Sequence, residues 1–447
     1  MSILHRFGID RAVMYVLFGK CISILSGLSI ILLIPHYLSP ELQGYYYTFN
    51  SIVALQIIFE LGFSVVIIQF VSHEMSALKY EMDKKDIEGE LHNKRRILSI
   101  VSFSVRWYGA IALAIILCVG PIGYIFFNFE NNTNIHWQSA WITLTAATAI
   151  NVFFISIVSI AEGCGLVVKV NKMRAIQASI AALLSIIFLI SGHGLFATAS
   201  IAISGCIVYC IFTVRYFWST IQESYLARKN QSANITGISW KKEILPMQWR
   251  IALSWMSGYF IFFAMTPIAF KYFGPVYAGK LGMSLTLCNM IMATALAWIS
   301  TRFPRWGRLI SMGDRHELDI SFRTSTIQSA GFVLICLTGA VFSIVLLNYL
   351  NFNFTHRFFS PVDFSILSLS ILGSHLVACM ATYIRAHKVE KMAMVSFIMA
   401  TLTTSCMSLV AFFHQEKLYI IVYCLIVWIY FVPHSFLIFK EFKKNYV

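Results

Sequence analysis

The sequence predicts an all-α, polytopic membrane protein of about twelve transmembrane helices, arranged as two parallel six-helix lobes around a central cavity. Of its 447 residues, 58% are hydrophobic and 12% are charged, whereas soluble chains carry about 25% charged residues. Apolar runs of the roughly 20 residues that cross a bilayer recur along the chain. Because lipid cannot satisfy exposed backbone groups, these runs must form helices. Short motifs also recur in the two halves, which predicts the two lobes.

The loops between the apolar runs indicate the orientation. Lys and Arg are concentrated at the C-terminus and in the loops after the second, fourth, sixth, eighth and tenth runs, and such residues stay on the cytoplasmic side. This predicts a multi-pass protein with both termini cytoplasmic, and it explains the net charge of +14 without a nucleic-acid partner. The predicted spans are 12–36, 45–72, 98–126, 137–162, 175–192, 196–218, 249–271, 277–301, 324–348, 363–384, 392–413 and 418–439.

Two pairs of short motifs occupy equivalent positions in the two halves. Residues 37–44 and 272–279 both read YxxPxxxG, and residues 169–173 and 388–392 differ only at their middle position. An even number of spans per half predicts a parallel repeat, and repeated transporters bind their substrate between the halves. The predicted boundaries are an N-terminal lobe 1–225, a cytoplasmic linker 226–245 and a C-terminal lobe 246–447.

Three ionisable residues lie at similar predicted depths in the first lobe, where each costs about 2.5–3.5 kcal/mol to insert. They are Lys20, Glu60 and Arg106, and Glu60 can pair with either cation. Gln56 and Ser64 flank Glu60 on the same helical stripe. The group predicts either a polar cavity, in which the cations bind an anion and Glu60 couples transport to an ion, or a buried structural pair. The surplus of positive charge favours an anionic substrate.

The second lobe holds further candidates on its predicted eighth and tenth spans. Lys280, with Ser284 one turn away, either lines the cavity or snorkels to the outer interface. His375 either faces the cavity or bonds to a neighbouring helix. Arg385 either anchors a cytoplasmic helix end or receives an anionic headgroup.

No motif for catalysis, a cofactor or a metal is found in the sequence. Its ten cysteines include no CxxC pair, and they fit small buried hydrophobic positions. The longest predicted outer loops, 128–136 and 349–362, are too short for a catalytic domain. We therefore expect a protein that is not an enzyme and has no cofactor and no metal.

Several stretches resemble the bacterial polysaccharide flippases, the O-antigen and capsule exporters of the Wzx type. The strongest resemblance lies in residues 38–47, 59–62 and 69–74, and the stretch 383–390 is similar to the same family. That family belongs to the superfamily of multidrug, oligosaccharidyl-lipid and polysaccharide exporters. The resemblance implies a V-shaped pair of lobes in the bacterial inner membrane, with a cavity lined by the first, second, seventh and eighth helices.

The resemblance also implies the cargo and the partners. The cargo would be an undecaprenyl-pyrophosphate-linked oligosaccharide repeat unit, moved from the inner to the outer leaflet by alternating access and driven by an ion gradient. The expected partners are this lipid and the bilayer, together with a polysaccharide polymerase or chain-length regulator, and the protein is expected to work as a monomer. Lys20, Glu60 and Lys280 lie on helices that the family uses to line its cavity.

Three alternatives remain open. A multidrug antiporter of the same superfamily would expel cations, and a net acidic cavity would favour it. A peptidoglycan-precursor flippase typically has two additional C-terminal helices, whereas this chain ends just after its twelfth predicted span. A membrane glycan polymerase or ligase would need a larger outer loop than the chain offers.

Overall fold

The computed structural model describes residues 11–75, 78–81, 86–129, 135–229, 245–387 and 389–446, and every predicted span falls on helical structure within them. The described part of the first half contains ten helices and one small hairpin. They are α1 (Arg11–Tyr37), α2 (Pro40–Val53), α3 (Gln56–Glu60), α4 (Phe63–Glu74), β1 (Leu78–Glu81), β2 (Asp86–Gly89), α5 (Leu91–Ala114), α6 (Gly120–Asn128), α7 (Gln138–Gly163), α8 (Val167–Ile190), α9 (Ser200–Tyr216) and α10 (Trp218–Lys229). A short π-helix, Ile115–Val119, joins α5 to α6, and a short 3₁₀ helix, Gly194–Ala199, precedes α9.

The predicted seventh span, 249–271, covers the first helix of the second half and the start of the next one, which also contains the predicted eighth span, 277–301. Its elements are α11 (Leu245–Phe262), α12 (Met265–Met312), α13 (Arg315–Tyr349), α14 (Pro361–Ala386), α15 (Ala393–Phe412), α16 (Glu416–Leu425) and α17 (Val432–Tyr446). Helix α12 is interrupted at Gly274, whose φ of 83° is left-handed, a conformation that glycine adopts without steric cost. A π-helical stretch joins α16 to α17.

Length and hydropathy identify nine described helices that could cross a membrane, or ten if the bent second span is counted as one. The predicted first span corresponds to a shorter apolar helical segment, Ile24–Tyr37, within α1. The predicted seventh and eighth spans lie within one apolar run, Ile251–Met312. These two features account for the difference from the twelve predicted spans.

The contacts divide the chain into two compact units, whose bounds differ from those of the predicted lobes at residues 34–51 and at residues 226–255. The N-terminal unit comprises Met1–Leu33 and Ile52–Trp255, and the C-terminal unit comprises Ile34–Ser51 and Met256–Val447. Residues 34–51, which comprise the last turn of α1 and all but the last two residues of α2, therefore belong to the C-terminal unit. Most of the predicted linker, residues 230–244, lies outside the described residues.

An ion pair closes each of four connections on the predicted inner side. The N–O distances are 2.8 Å for Arg96–Glu74, 2.7 Å for Arg174–Glu162, 3.0 Å for Arg305–Glu317 and 2.6 Å for Arg385–Glu390. The first of these is mostly buried, while the others are partly exposed. Exposed pairs contribute about 1 kcal/mol or less each, so they mainly set the geometry of the turns.

The β1–β2 hairpin is a feature that the sequence analysis did not predict. Tyr80 stacks on Phe217 at a centroid distance of 5.4 Å, and its hydroxyl donates a hydrogen bond to the Tyr216 carbonyl. Ile87 of the other strand is fully buried. Helix α10, which follows the predicted sixth span, packs against the same hairpin and against α5. The loop after the second span is therefore partly folded.

Candidate functional site

The second predicted span is broken next to Glu60. Helices α2 and α3 on one side and α4 on the other are bent by 42°, and Leu61 and Gly62 between them both have left-handed φ values of 54° and 66°. Left-handed backbone is uncommon for leucine and is characteristic of strained functional segments. Gly62 is required on steric grounds as well, because an added Cβ would lie 2.6 Å from a methyl group of Ile251.

The broken helix presents the Glu60 carboxylate to helix α5. The hydroxyl of Tyr108 donates a hydrogen bond of 3.0 Å to Oε1 of Glu60. One turn earlier, Oε1 of Gln56 is buried, and no donor among the described residues reaches it. The ring of Phe63 stacks on Tyr108 at 6.0 Å. The result is a half-buried carboxylate, oriented by a neutral donor, on a helix that also carries a second oxygen acceptor.

The other first-lobe candidates have different positions. Arg106 is exposed and donates from Nε to the Ser102 carbonyl at 3.0 Å. It lies two residues from Tyr108, so α5 presents the tyrosine and the arginine on opposite faces. Ser64 interacts with the Tyr108 hydroxyl. Lys20 lies on α1, but its side chain is outside the described part of the chain, so its pairing with Glu60 stays a prediction.

The second-lobe candidates Lys280 and Ser284 share a face of α12. Lys280 is half-buried. Ser284 is fully buried, and its hydroxyl accepts a hydrogen bond of 3.3 Å from the amide of Phe359. Ser284 therefore fastens the loop before α14 to α12. The role of Lys280 in binding an anion stays a prediction.

His375 joins three helices inside the C-terminal unit. Its imidazole is fully buried, and Nε2 lies 2.9 Å from Oγ of Ser329. The Ser329 hydroxyl donates to the Ala295 carbonyl at 2.8 Å, so Nε2 of His375 carries the proton and donates to Ser329. Cys379 lies 3.5 Å from the same nitrogen. These contacts correspond to the interhelical hydrogen bond that the sequence analysis offered as one of two interpretations.

We expect Ser329→Ala to lower the unfolding temperature measurably. The substitution removes the acceptor of His375 and the donor to Ala295, and an unsatisfied buried polar group costs about 1–3 kcal/mol. Thermal unfolding in detergent provides the measurement. Ser343→Ala is the matched control, because the hydroxyl of this exposed serine of the same helix donates to the Gly339 carbonyl one turn earlier. Equal unfolding temperatures for both variants would contradict the structural role.

Arg385 is engaged at the turn between α14 and α15. Its Nε lies 2.6 Å from Oε2 of Glu390 and its Nη2 lies 3.3 Å from Oε1, which is a bidentate pair. The side chain is partly exposed. This ion pair is the geometry expected of an anchor at a helix end, and the binding of an anionic headgroup by Arg385 stays a prediction.

Sequence reasoning missed Tyr108 and the helix break. The only local signal for the break was the Glu60-Leu-Gly62 sequence, since glycine can adopt the left-handed conformation that ends a helix. Nothing in the spacing of Tyr108 distinguished it from other interior aromatic residues. Its role becomes visible only when α5 is packed against α3.

The fold can be compared with known proteins. No protein-family model and no curated protein sequence matches this chain. Among solved structures, it is similar to an inward-facing multidrug resistance MATE family transporter of the MOP superfamily, with a TM-score of 0.63 and 12% identity over 96% of this chain and 95% of that one.

Two further solved structures show the same similarity. One is the MATE multidrug transporter DinF-BH in complex with R6G, with a TM-score of 0.61, 12% identity and coverage of 97% and 94%. The other is a MOP superfamily transporter from Pyrococcus furiosus, described as having a binding pocket of reverse polarity, with a TM-score of 0.52, 14% identity and coverage of 97% and 96%. At these identities the comparison establishes the fold alone: the chain is a multi-pass membrane protein with the fold of the MATE transporters.

Proposed function

We propose that the protein is an ion-coupled exporter of the multidrug-antiporter type, which expels amphipathic organic molecules in exchange for a proton or a metal cation. The observation that carries this proposal is the position of Glu60 at the break in the second span. The similarity of the fold to MATE multidrug transporters supports the same conclusion. The charge balance in the sequence favoured a flippase for an anionic lipid over a multidrug antiporter, and the proposal reverses that order.

The broken helix suits a cation for a physical reason. Discontinuous membrane helices expose backbone carbonyls and place them beside side chains at binding sites. A carboxylate there can hold a proton or a metal ion, and releases it when a competing cation arrives. Helix α5 presents the neutral Tyr108 to Glu60, so the observed partner leaves the negative charge of the carboxylate available.

Proteoliposomes provide the direct test. The purified protein would be reconstituted with a cationic fluorescent dye inside the vesicles, and an inward proton or sodium gradient would be imposed. Gradient-dependent dye efflux supports the proposal. Efflux at the rate of protein-free vesicles under both gradients would contradict it.

A second candidate is the flipping of a lipid-linked oligosaccharide. The specific observation in its favour is the surplus of predicted intramembrane cations, Lys20, Arg106 and Lys280, over the single carboxylate Glu60. A pyrophosphate would neutralise that surplus. Depletion of the protein from its host separates the two candidates, because loss of a flippase leaves single repeat units in the cytoplasmic leaflet, whereas loss of a drug antiporter causes no such accumulation.

For the second candidate, we expect Lys20→Ala and Lys280→Ala each to reduce flipping by at least about tenfold, because each removes a cation that would hold the pyrophosphate. The measurement is the amount of lipid-linked repeat unit reaching the outer leaflet, normalised to protein level. Lys417→Ala is the matched control, since this exposed lysine lies in a predicted outer loop. If Lys20→Ala and Lys280→Ala both flip the lipid as well as the unmodified protein, these two lysines do not take part in the mechanism.

A further inference from the structure

Helices α12 and α13 of the C-terminal unit pack as an antiparallel pair on the predicted inner side. Three side-chain contacts across the pair fix its register. In order along α12 they are Trp298–Phe332 with ring centroids 5.0 Å apart, Arg305–Glu317 with an N–O distance of 3.0 Å, and Trp306–Ser321 with an Nε1–Oγ distance of 3.0 Å. Arg302 lies one helical turn from both tryptophans. The register therefore places Arg302 at the level of Thr324 on the neighbouring helix.

Four exposed side chains line this pair of helices at that level, and we call them the seam residues. They are Trp298 and Arg302 on α12 and Thr324 and Gln328 on α13. The members on each helix are one turn apart, so each pair forms a stripe on one face. Phe332 continues the α13 stripe by one further turn and meets Trp298. The seam residues thus combine one cation and two polar groups with an aromatic ring, which is 38% exposed.

The charge at the seam residues is not neutralised within the described part of the chain. No described carboxylate pairs with Arg302, and no described residue forms a hydrogen bond with the amide of Gln328. The three carboxylates at this end of the helix pair are engaged elsewhere: Asp314 caps α13, Glu317 pairs with Arg305 and Asp319 pairs with Lys443. The exposed Arg308 and Arg323 add further positive charge. The surface therefore favours an anion.

The seam residues lie where the chain passes from the bilayer core to the headgroups. The predicted eighth span ends at residue 301, and the predicted ninth begins at residue 324. Snorkelling into water would by itself explain Arg302. It does not explain the exposed amide of Gln328 one turn inside the predicted span, because an unpaired polar group facing lipid is costly. A ligand with oxygen atoms at this depth would satisfy both groups, and basic pockets between membrane helices on the cytoplasmic side bind anionic headgroups.

We propose that the seam residues form a binding site for an anionic glycerophospholipid of the predicted inner leaflet. Arg302 binds the phosphate, for which the planar guanidinium offers two parallel N–H donors. Thr324 and Gln328 bond to oxygens of the headgroup and the glycerol, and the first methylene groups of the acyl chains pack on Trp298. Inorganic phosphate carries the same charge but has nothing to cover the tryptophan, so the site is assigned to the lipid. The proposal does not depend on the transported cargo.

The test titrates the purified full-length protein in detergent with dioleoyl-phosphatidylglycerol and measures the bound lipid by native mass spectrometry. We expect Arg302→Gln to weaken the tightest lipid binding at least about tenfold, because the charge-assisted bidentate contact is lost. Gln328→Leu should weaken it about threefold, since a neutral hydrogen bond contributes less. Arg308→Gln is the matched control. It removes the same charge from the same helix, but from a different face and further from the membrane boundary, so the affinity should stay within about twofold.

Three results would overturn the lipid site. Equal affinities for Arg302→Gln and Arg308→Gln would show that the seam residues are not a site, because the lipid would then respond only to the overall charge. Equally tight binding of dioleoyl-phosphatidylcholine to the unmodified protein would show that the negative charge of the lipid is not recognised. Displacement of the phosphatidylglycerol by an equal concentration of inorganic phosphate would assign the seam residues to a free anion. Binding needs neither a gradient nor a substrate, so failure of the proposed export leaves this test unaffected.

Discussion

Replacing Glu60 by glutamine is expected to reduce gradient-driven efflux at least about 100-fold. The amide keeps the size of the side chain and can still accept the hydrogen bond from Tyr108. It cannot carry the negative charge that a proton or metal ion must neutralise, so the coupling step is lost while the fold is kept. The measurement is dye efflux from proteoliposomes, together with the unfolding temperature of the same preparation.

Two further variants serve as references for the Glu60→Gln measurement. Tyr108→Phe removes the orienting donor only, and we expect a loss of about three- to tenfold in efflux. Glu317→Gln is the matched control, because that carboxylate is half-exposed in a surface pair with Arg305, and such pairs contribute little. If Glu60→Gln transports as well as Glu317→Gln, the broken second span is not the coupling site.

Gly44→Leu is expected to be the most damaging substitution for the fold of the C-terminal unit. A Cβ at this position would overlap the carbonyl oxygen of Pro275 and would lie 2.8 Å from its Cα. Backbone atoms cannot move aside as a flexible side chain can, so we expect a cost above about 3 kcal/mol. Protein level and the unfolding temperature in detergent provide the measurement.

Gly307→Ala is the control for this prediction. It also replaces a helical glycine in the C-terminal unit, but nothing lies within 4 Å of the Cβ that it adds. Alanine is better than glycine inside a helix by about 0.5–1 kcal/mol, so the control should be neutral or slightly stabilising. A Gly44→Leu protein as stable as this control would show that the close approach is not required.

Gly44 also illustrates how far the repeat could be interpreted from the sequence. The two YxxPxxxG motifs were recognised as copies, but not as partners. In the structure they meet: Gly44 packs on Pro275, and an added Cβ on Gly279 would lie 3.0 Å from the amide nitrogen of Gly44 and 3.3 Å from the carbonyl oxygen of Pro40. Each glycine therefore allows the other copy to approach, which is the usual role of small residues between membrane helices.

Composition and hydrophobic patterning determined the helical membrane architecture on their own, because only helices can satisfy their backbone groups in lipid over runs of this length. The positions of the spans followed from the same patterning, and the sequence also identified Glu60 as an intramembrane charge. Tyr108 as its partner, the break at Leu61 and Gly62, and the hydrogen bonds of Arg357 and Gln43 were decided only by the tertiary structure. These features depend on which helix faces which neighbour, and residues far apart in the chain do not record that in their local pattern.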